Sequence, residues 1–112
     1  MARSVSAKAV WHLREALRLR SDFPEAHLNM ATAVLSSRQP RKAEQHLRRA
    51  LELRPEYGDA HLNLGMLLGR MNRTDEALDH LDTAARLLPK LAGEISALTA
   101  NVRQQRSSRR PP

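Results

Sequence analysis

Cysteine is absent from the 112-residue chain, and only one Trp, one Tyr and one Phe occur. The lack of cysteine excludes disulfides and thiolate metal sites, and it suits a reducing compartment, so we expect a cytoplasmic location. With few aromatics, Leu and Ala supply the apolar content, which favours helices packed on helices. The longest apolar run, around Leu64–Gly69, is too short to span a bilayer.

Acidic residues are scarce at the two ends of the chain. Residues 1–20 and residues 95–112 each carry a net charge of +4, whereas residues 21–94 sum to −1 and the whole chain to +7. A protein that tracks nucleic acid would spread basic residues over its body. The charge distribution therefore argues against nucleic acid as the partner, and the basic ends keep that alternative open.

The chain contains an internal repeat of 34 residues. Residues 24–57 and 58–91 are identical at ten of 34 aligned positions, and residues 7–20 match 41–54 at nine of fourteen. Within one copy, a first helix is indicated by His27, Met30, Ala31 and Val34, which share one helix face. After a break at Gln39-Pro40, a second helix is indicated by Ala43, Leu47, Ala50 and Leu53. In the next copy, Thr74 or Asn72 is the expected N-cap of the second helix.

These repeats resemble the tetratricopeptide repeat family. The resemblance rests on the 34-residue period, on Leu64-Gly65, on alanine at positions 43, 50, 77 and 84, and on the closing Pro55 and Pro89. His27 and His61 stand where the family has Trp. The resemblance implies an all-α fold of about six antiparallel helices, a short right-handed solenoid whose first helices line a concave groove. The alanines are expected where helices approach closely.

The predicted organisation has five segments. They are an N-terminal half repeat over 1–23, full repeats over 24–57 and 58–91, a capping helix over 90–105 and a disordered basic tail over 106–112. The lone helix of the half repeat leaves Val10, Leu13 and Leu17 without the partner that a full repeat supplies, so we expect self-association through this end or a longer parent solenoid. Trp11, whose counterparts are Gln45 and Asp79, is a further candidate for an outside contact.

No metal, cofactor or catalytic site is predicted. The five histidines fall into slots 34 residues apart, and such slots in stacked repeats lie roughly 10 Å or more apart, too far to share a zinc ion. The sequence contains no Gly-rich phosphate loop, nucleophile elbow or His-Glu-x-x-His motif. We therefore expect no enzyme activity, no cofactor and no small-molecule substrate.

The predicted binding surface is the polar stripe of the first helices. It comprises Glu25, Leu28, Asn29, Thr32, Asp59, Leu62, Asn63, Met66 and Arg70. Asn29 and Asn63 resemble the asparagine ladder of O-linked N-acetylglucosamine transferase repeats, which implies that their amides hold a peptide backbone. Chaperone-binding relatives use a basic clamp in this groove, whereas Glu25 and Asp59 are acidic and would repel a terminal carboxylate.

The resulting functional hypothesis is a non-catalytic scaffold or adaptor that binds an extended segment of a protein partner in its groove. The sequence leaves two alternatives open. One is a helical-repeat nucleic-acid binder that uses the basic ends, which a steep salt dependence would favour. The other is a repeat fragment of a larger transferase-type enzyme.

Overall fold

The computed structural model describes residues 6–19, 23–36 and 38–109. Within these ranges the secondary structure consists of six α-helices and one short 3₁₀ helix, Pro89–Leu91, with no strand. The chain divides into two compact units, Met1–Pro55 and Glu56–Pro112. Among the described residues, no helix combines the length and the apolar character needed to cross a membrane.

The first unit contains α1 (Ala7–Leu19), α2 (Pro24–Ser36) and α3 (Pro40–Leu53). Helix α2 packs against both α1 and α3. Helix α3 begins with Pro40 in its first turn, where the missing N–H costs no hydrogen bond, as the sequence predicts. The buried residues of this unit are Ala26, His27, Met30, Ala31, Ala33, Ala43, Leu47 and Ala50. The predicted contributions of the Leu17 and Val34 side chains lie outside the described part.

The second unit contains α4 (Gly58–Arg70), α5 (Thr74–Leu87) and α6 (Ala92–Arg109). Helix α5 packs against α4 and α6, and α6 also touches α4. The buried apolar side chains of this unit are Ala60, Leu64, Leu67, Leu68, Ala77, Leu81, Ala84, Ile95 and Val102. The four alanines expected at close helix contacts, two in each unit, are all fully buried.

The link between α4 and α5 corrects one expectation. Arg73 is the N-cap of α5, and Thr74 is already helical. Asn72 has a positive φ of 64° and ends α4 instead, in a Schellman turn where the Asn72 N–H donates to the Gly69 carbonyl and the Arg73 N–H to the Leu68 carbonyl. Asparagine suits this role because its short polar side chain tolerates the left-handed region.

The C-terminal boundary also differs from the prediction. Helix α6 starts two residues later than the predicted cap and continues through Arg109, four residues beyond position 105. The tail predicted to begin at 106 is therefore helical up to 109, and residues 110–112 lie outside the described part of the chain. The five-segment division itself remains a prediction.

Candidate functional site

In the first unit, the predicted face lies on α2 and is accessible. Asn29 and Thr32 are exposed, and Leu28 is half-buried. The Thr32 hydroxyl donates to the Leu28 carbonyl at 3.2 Å, so it is satisfied within its own helix. The Asn29 amide thus offers the polar group of this face best placed to meet a partner.

Glu25 at the start of α2 is held by an ion pair. Arg54 Nη2 donates to Glu25 Oε2 at 2.9 Å, which ties the first turn of α2 to the residue that caps α3. This hydrogen bond is the main reason why the pKa of the Glu25 carboxyl is lowered from its ordinary value. Glu25 is thus an anion whose charge is already partnered.

In the second unit, the predicted face lies on α4. Asp59 and Arg70 are exposed, whereas Leu62, Asn63 and Met66 are half-buried. The Glu25–Arg54 pair has no equivalent here, because the position 34 residues after Arg54 is a leucine. Asp59 therefore contributes an exposed negative charge at one end of the face and Arg70 a positive charge at the other.

An open pocket of about 200 Å³ adjoins the Arg70 end of this face. Met66, Gly69 and Arg70 of α4 form one side. The remaining lining residues are Leu81 of α5 and Leu98, Asn101, Val102 and Gln105 of α6. The pocket combines an apolar floor with an exposed guanidinium and two exposed amides, so it can accept an apolar side chain while bonding to polar groups beside it.

Of the residues that line this pocket, only Met66 and Arg70 belong to the binding surface predicted from the sequence. The α6 side chains are absent from the predicted surface, because the sequence indicates a cap that covers the last repeat in this segment. A signal was present: Leu98, Asn101, Val102 and Gln105 are spaced i, i+3, i+4, i+7 and so share one helix face. An apolar stripe that carries two amides indicates a surface for a polar partner rather than a buried seam alone.

Four of the five histidines form two pairs, which the 34-residue spacing did not predict. His27 Nδ1 lies 3.3 Å from His46 Nδ1 in the first unit, and His61 Nδ1 lies 3.0 Å from His80 Nδ1 in the second. Each pair joins the two helices of one repeat across 19 residues of sequence. Within the described ranges, no cluster of three or more His, Cys, Asp or Glu side chains forms a candidate metal site.

The fold is similar to that of solved repeat domains. The first tetratricopeptide domain of Spaghetti, bound to the HSP90 peptide SRMEEVD, superposes with a TM-score of 0.83 at 18% identity, covering 89% of this chain and 79% of that one. The TPR2B domain of yeast Sti1, in its pHsp70 complex, gives 0.80 at 22% identity, covering 87% and 82%. No curated protein sequence matches significantly.

The tetratricopeptide repeat family model matches residues 34–102, more than half of the chain. The match includes α3, α4, α5 and most of α6, the helices that carry the 34-residue period and the pocket. The predicted resemblance and the all-α helical-repeat fold are thereby confirmed, and the chain belongs to the tetratricopeptide repeat family.

Proposed function

We propose that the chain is a protein-interaction module for extended peptide segments, and that each of its two units offers the exposed face of a first helix, α2 in the first unit and α4 in the second. The observation that carries the proposal is the pocket of the second unit, where Met66 and Arg70 of the predicted face meet Asn101 and Gln105 of α6. The two similar domains support it, since each was solved with a bound partner, an HSP90 peptide in one case and pHsp70 in the other.

The chemistry of the pocket suggests what part of a peptide it takes. Met66 is flexible and apolar and adapts to different aliphatic or aromatic side chains. The amides of Asn101 and Gln105 each offer donors and an acceptor that match the N–H and C=O groups of an extended chain. Arg70 favours a carboxylate next to the inserted side chain. An apolar residue beside an acidic one fits these groups.

The start of the face, in contrast to the Arg70 end, is not suited to binding a terminal carboxylate. Glu25 is already paired with Arg54, so its charge repels an incoming anion less than the sequence alone suggests. Asp59 is exposed and occupies the equivalent place in the second repeat, and the residue 34 positions later is Gly93. We therefore propose that this chain does not bind by a basic clamp on a peptide C-terminus.

Peptide selection against the full chain tests the function. Peptides enriched from a random display library are labelled, and their affinity is measured by fluorescence anisotropy. The double variant Asn29→Ala/Asn63→Ala should weaken binding roughly tenfold, because each net hydrogen bond contributes about 0.5–1.5 kcal/mol. The control is Gln45→Ala/Asp79→Ala, two exposed positions on second helices, which should bind like the parent.

Two results would count against the proposal. If the library enriches no peptide, the proposed peptide-binding function is wrong. If the asparagine variant binds with unchanged affinity, the groove is not the binding site. The basic ends then become the better candidate, and binding there should depend steeply on salt concentration. The peptide SRMEEVD serves as a further probe, and salt-sensitive micromolar binding would overturn the argument against a basic clamp.

Other parts of the functional hypothesis remain predictions. Binding without catalysis, and without a small-molecule substrate or nucleic acid, rests on the sequence arguments above. A cytoplasmic location rests on the lack of cysteine.

A further inference from the structure

The two histidine pairs have the same construction. In each, a histidine on the first helix of a repeat meets a histidine on the second helix, and the rings are tilted by 33° and 31°. The ring centroids lie 5.5 and 5.2 Å apart, so each centroid separation exceeds the Nδ1–Nδ1 separation by about the width of one imidazole ring. The two rings of a pair thus lie nearly end to end along the nitrogen–nitrogen line.

This geometry is that of an N–H···N hydrogen bond. One Nδ1 carries the proton and donates, and the other offers its lone pair. Two ligands of a single ion would instead point at a common centre beside the nitrogen–nitrogen line. The pairs are therefore contacts between imidazoles and not two-histidine metal sites.

We propose that the His27–His46 pair is an acid-sensitive contact between the two helices of the first repeat, so that the packing of α2 on α3 loosens as the pH falls below neutrality. In the neutral pair one histidine carries its proton on Nδ1 and the other on Nε2. One added proton at the donor's free Nε2 leaves the N–H···N bond intact, whereas a second added proton at the acceptor Nδ1 removes the lone pair that the bond needs. A fully protonated pair has two donors, no acceptor and two like charges in contact. Protonation of both histidines of a pair is thus incompatible with their contact.

The surroundings of the first pair strengthen this effect. His27 is 7% exposed, and His46 is half-buried. Burial is the main cause that lowers the pKa of His46, and the charges of His27, Lys42 on α3 and Arg14 on α1 lower it further. Each of these influences opposes protonation of His46 in the folded chain.

Nearby carboxylates on the packed helices are engaged elsewhere. On α2, Glu25 accepts a hydrogen bond from Arg54, and on α3, Glu44 accepts one from Arg48. Because each of these carboxylates is already paired with an arginine, its negative charge stabilises a protonated histidine less.

The second pair has its own charged neighbourhood. On α5, Glu76 lies one turn before His80 and pairs with Arg73 at 2.9 Å. On α4, exposed Asp59 lies two residues before His61. The neighbours of the second pair are thus mixed in sign.

The direction of the linkage follows from the lowered pKa of His46. The unfolded chain takes up a proton at this residue near its ordinary value of 6.5, whereas the folded chain does so only at lower pH. Between the two values the unfolded state binds more protons, so stability rises with pH in this window and is lost as pH falls through it. Acid therefore destabilises the α2–α3 contact.

Thermal unfolding by circular dichroism at pH 7.5, 6.5, 5.5 and 5.0 tests the proposal on the full chain. Carboxylates remain largely ionised over this range, so histidines dominate the change. The parent melting temperature should fall by several degrees towards pH 5. His46→Gln keeps an amide donor and acceptor but cannot titrate, and its fall should be smaller. His12→Gln removes the exposed histidine of the same slot on α1 and should leave the fall as in the parent.

A melting temperature that is constant from pH 7.5 to 5.0 in the parent would overturn the proposal. So would an equal fall in His46→Gln and in the parent. If the His46→Gln variant does not fold, an NMR titration of the parent protein tests the proposal by itself. Its His46 imidazole nitrogens should titrate with a midpoint below 6.5, and a midpoint at or above that value would refute the idea. None of these readouts depends on peptide binding.

Discussion

Single residues of the first helices decide how closely the two helices of a repeat approach. A β-carbon added at Gly65 would lie 2.8 Å from Leu81 Cγ and 3.2 Å from the Ala77 carbonyl oxygen. Leu81 is fully buried and the carbonyl belongs to the α5 backbone, so neither yields easily. Gly65 is therefore required by packing, which explains its place in the Leu-Gly pair.

We expect Gly65→Ala to lower the free energy of unfolding by about 1–3 kcal/mol, since the overpacking outweighs the better helix propensity of alanine. Urea denaturation followed by circular dichroism measures the change. The control is Gly93→Ala in α6, where an added β-carbon meets nothing within 4 Å. That variant should be as stable as the parent or more so, by up to about 1 kcal/mol. A stable Gly65→Ala protein would show that α4 and α5 are not in close contact.

At the scale of helices, each repeat is a pair of helices joined through small residues on the second helix. Ala77 and Ala84 are fully buried on α5, as Ala43 and Ala50 are on α3. Small side chains let the helix axes come close, so the larger residues Leu64 and Leu81 can interdigitate around them. The polar face of α5, with Asp79 and Asp82, is exposed.

Replacing Ala77 by Leu should force α4 and α5 apart and cost about 1–3 kcal/mol. The midpoint of thermal or urea unfolding reports it. Ala97→Leu makes the same change at an exposed position of α6 and should have little effect. An unchanged midpoint for Ala77→Leu would contradict the packing described for the second unit.

At the scale of the whole molecule, the chain forms two compact units and carries its positive charge near its ends. Helix α1 packs on α2, with Val10 and Leu13 half-buried. Trp11 on α1 is 57% exposed, and its ring makes an edge contact with His12. A large apolar side chain on a solvent-facing helix surface is suited to contact with another molecule.

Self-association through this end therefore stays a prediction with a direct test. Sedimentation velocity at increasing concentration should show a species larger than the monomer. Trp11→Gln should reduce that species, because it removes the exposed apolar side chain. Glutamine is chosen since it is the residue at the equivalent position 45. Asp79→Gln changes the corresponding exposed position of α5 and should leave association unaltered. A monomer at all concentrations, with tryptophan emission typical of water, would contradict the prediction.

The sequence by itself determined which segments are helical and which faces are buried. Pro40 marked the start of α3, and the alanines and leucines at helical spacing marked the core, because these signals act within one helix or at its ends. The family followed from the same spacing, repeated at 34 residues. The accessible stripe on α4, including Met66 and Arg70, was also readable for this reason.

Only the tertiary structure decided which side chains meet across helices. The pairing of His27 with His46, the ion pair of Glu25 with Arg54, and the addition of Asn101 to the pocket all depend on the register between neighbouring helices. A repeat period fixes equivalent positions in successive copies, but it does not fix the offset between the two helices of one copy. That offset is set by how buried side chains interdigitate, which requires the packed structure.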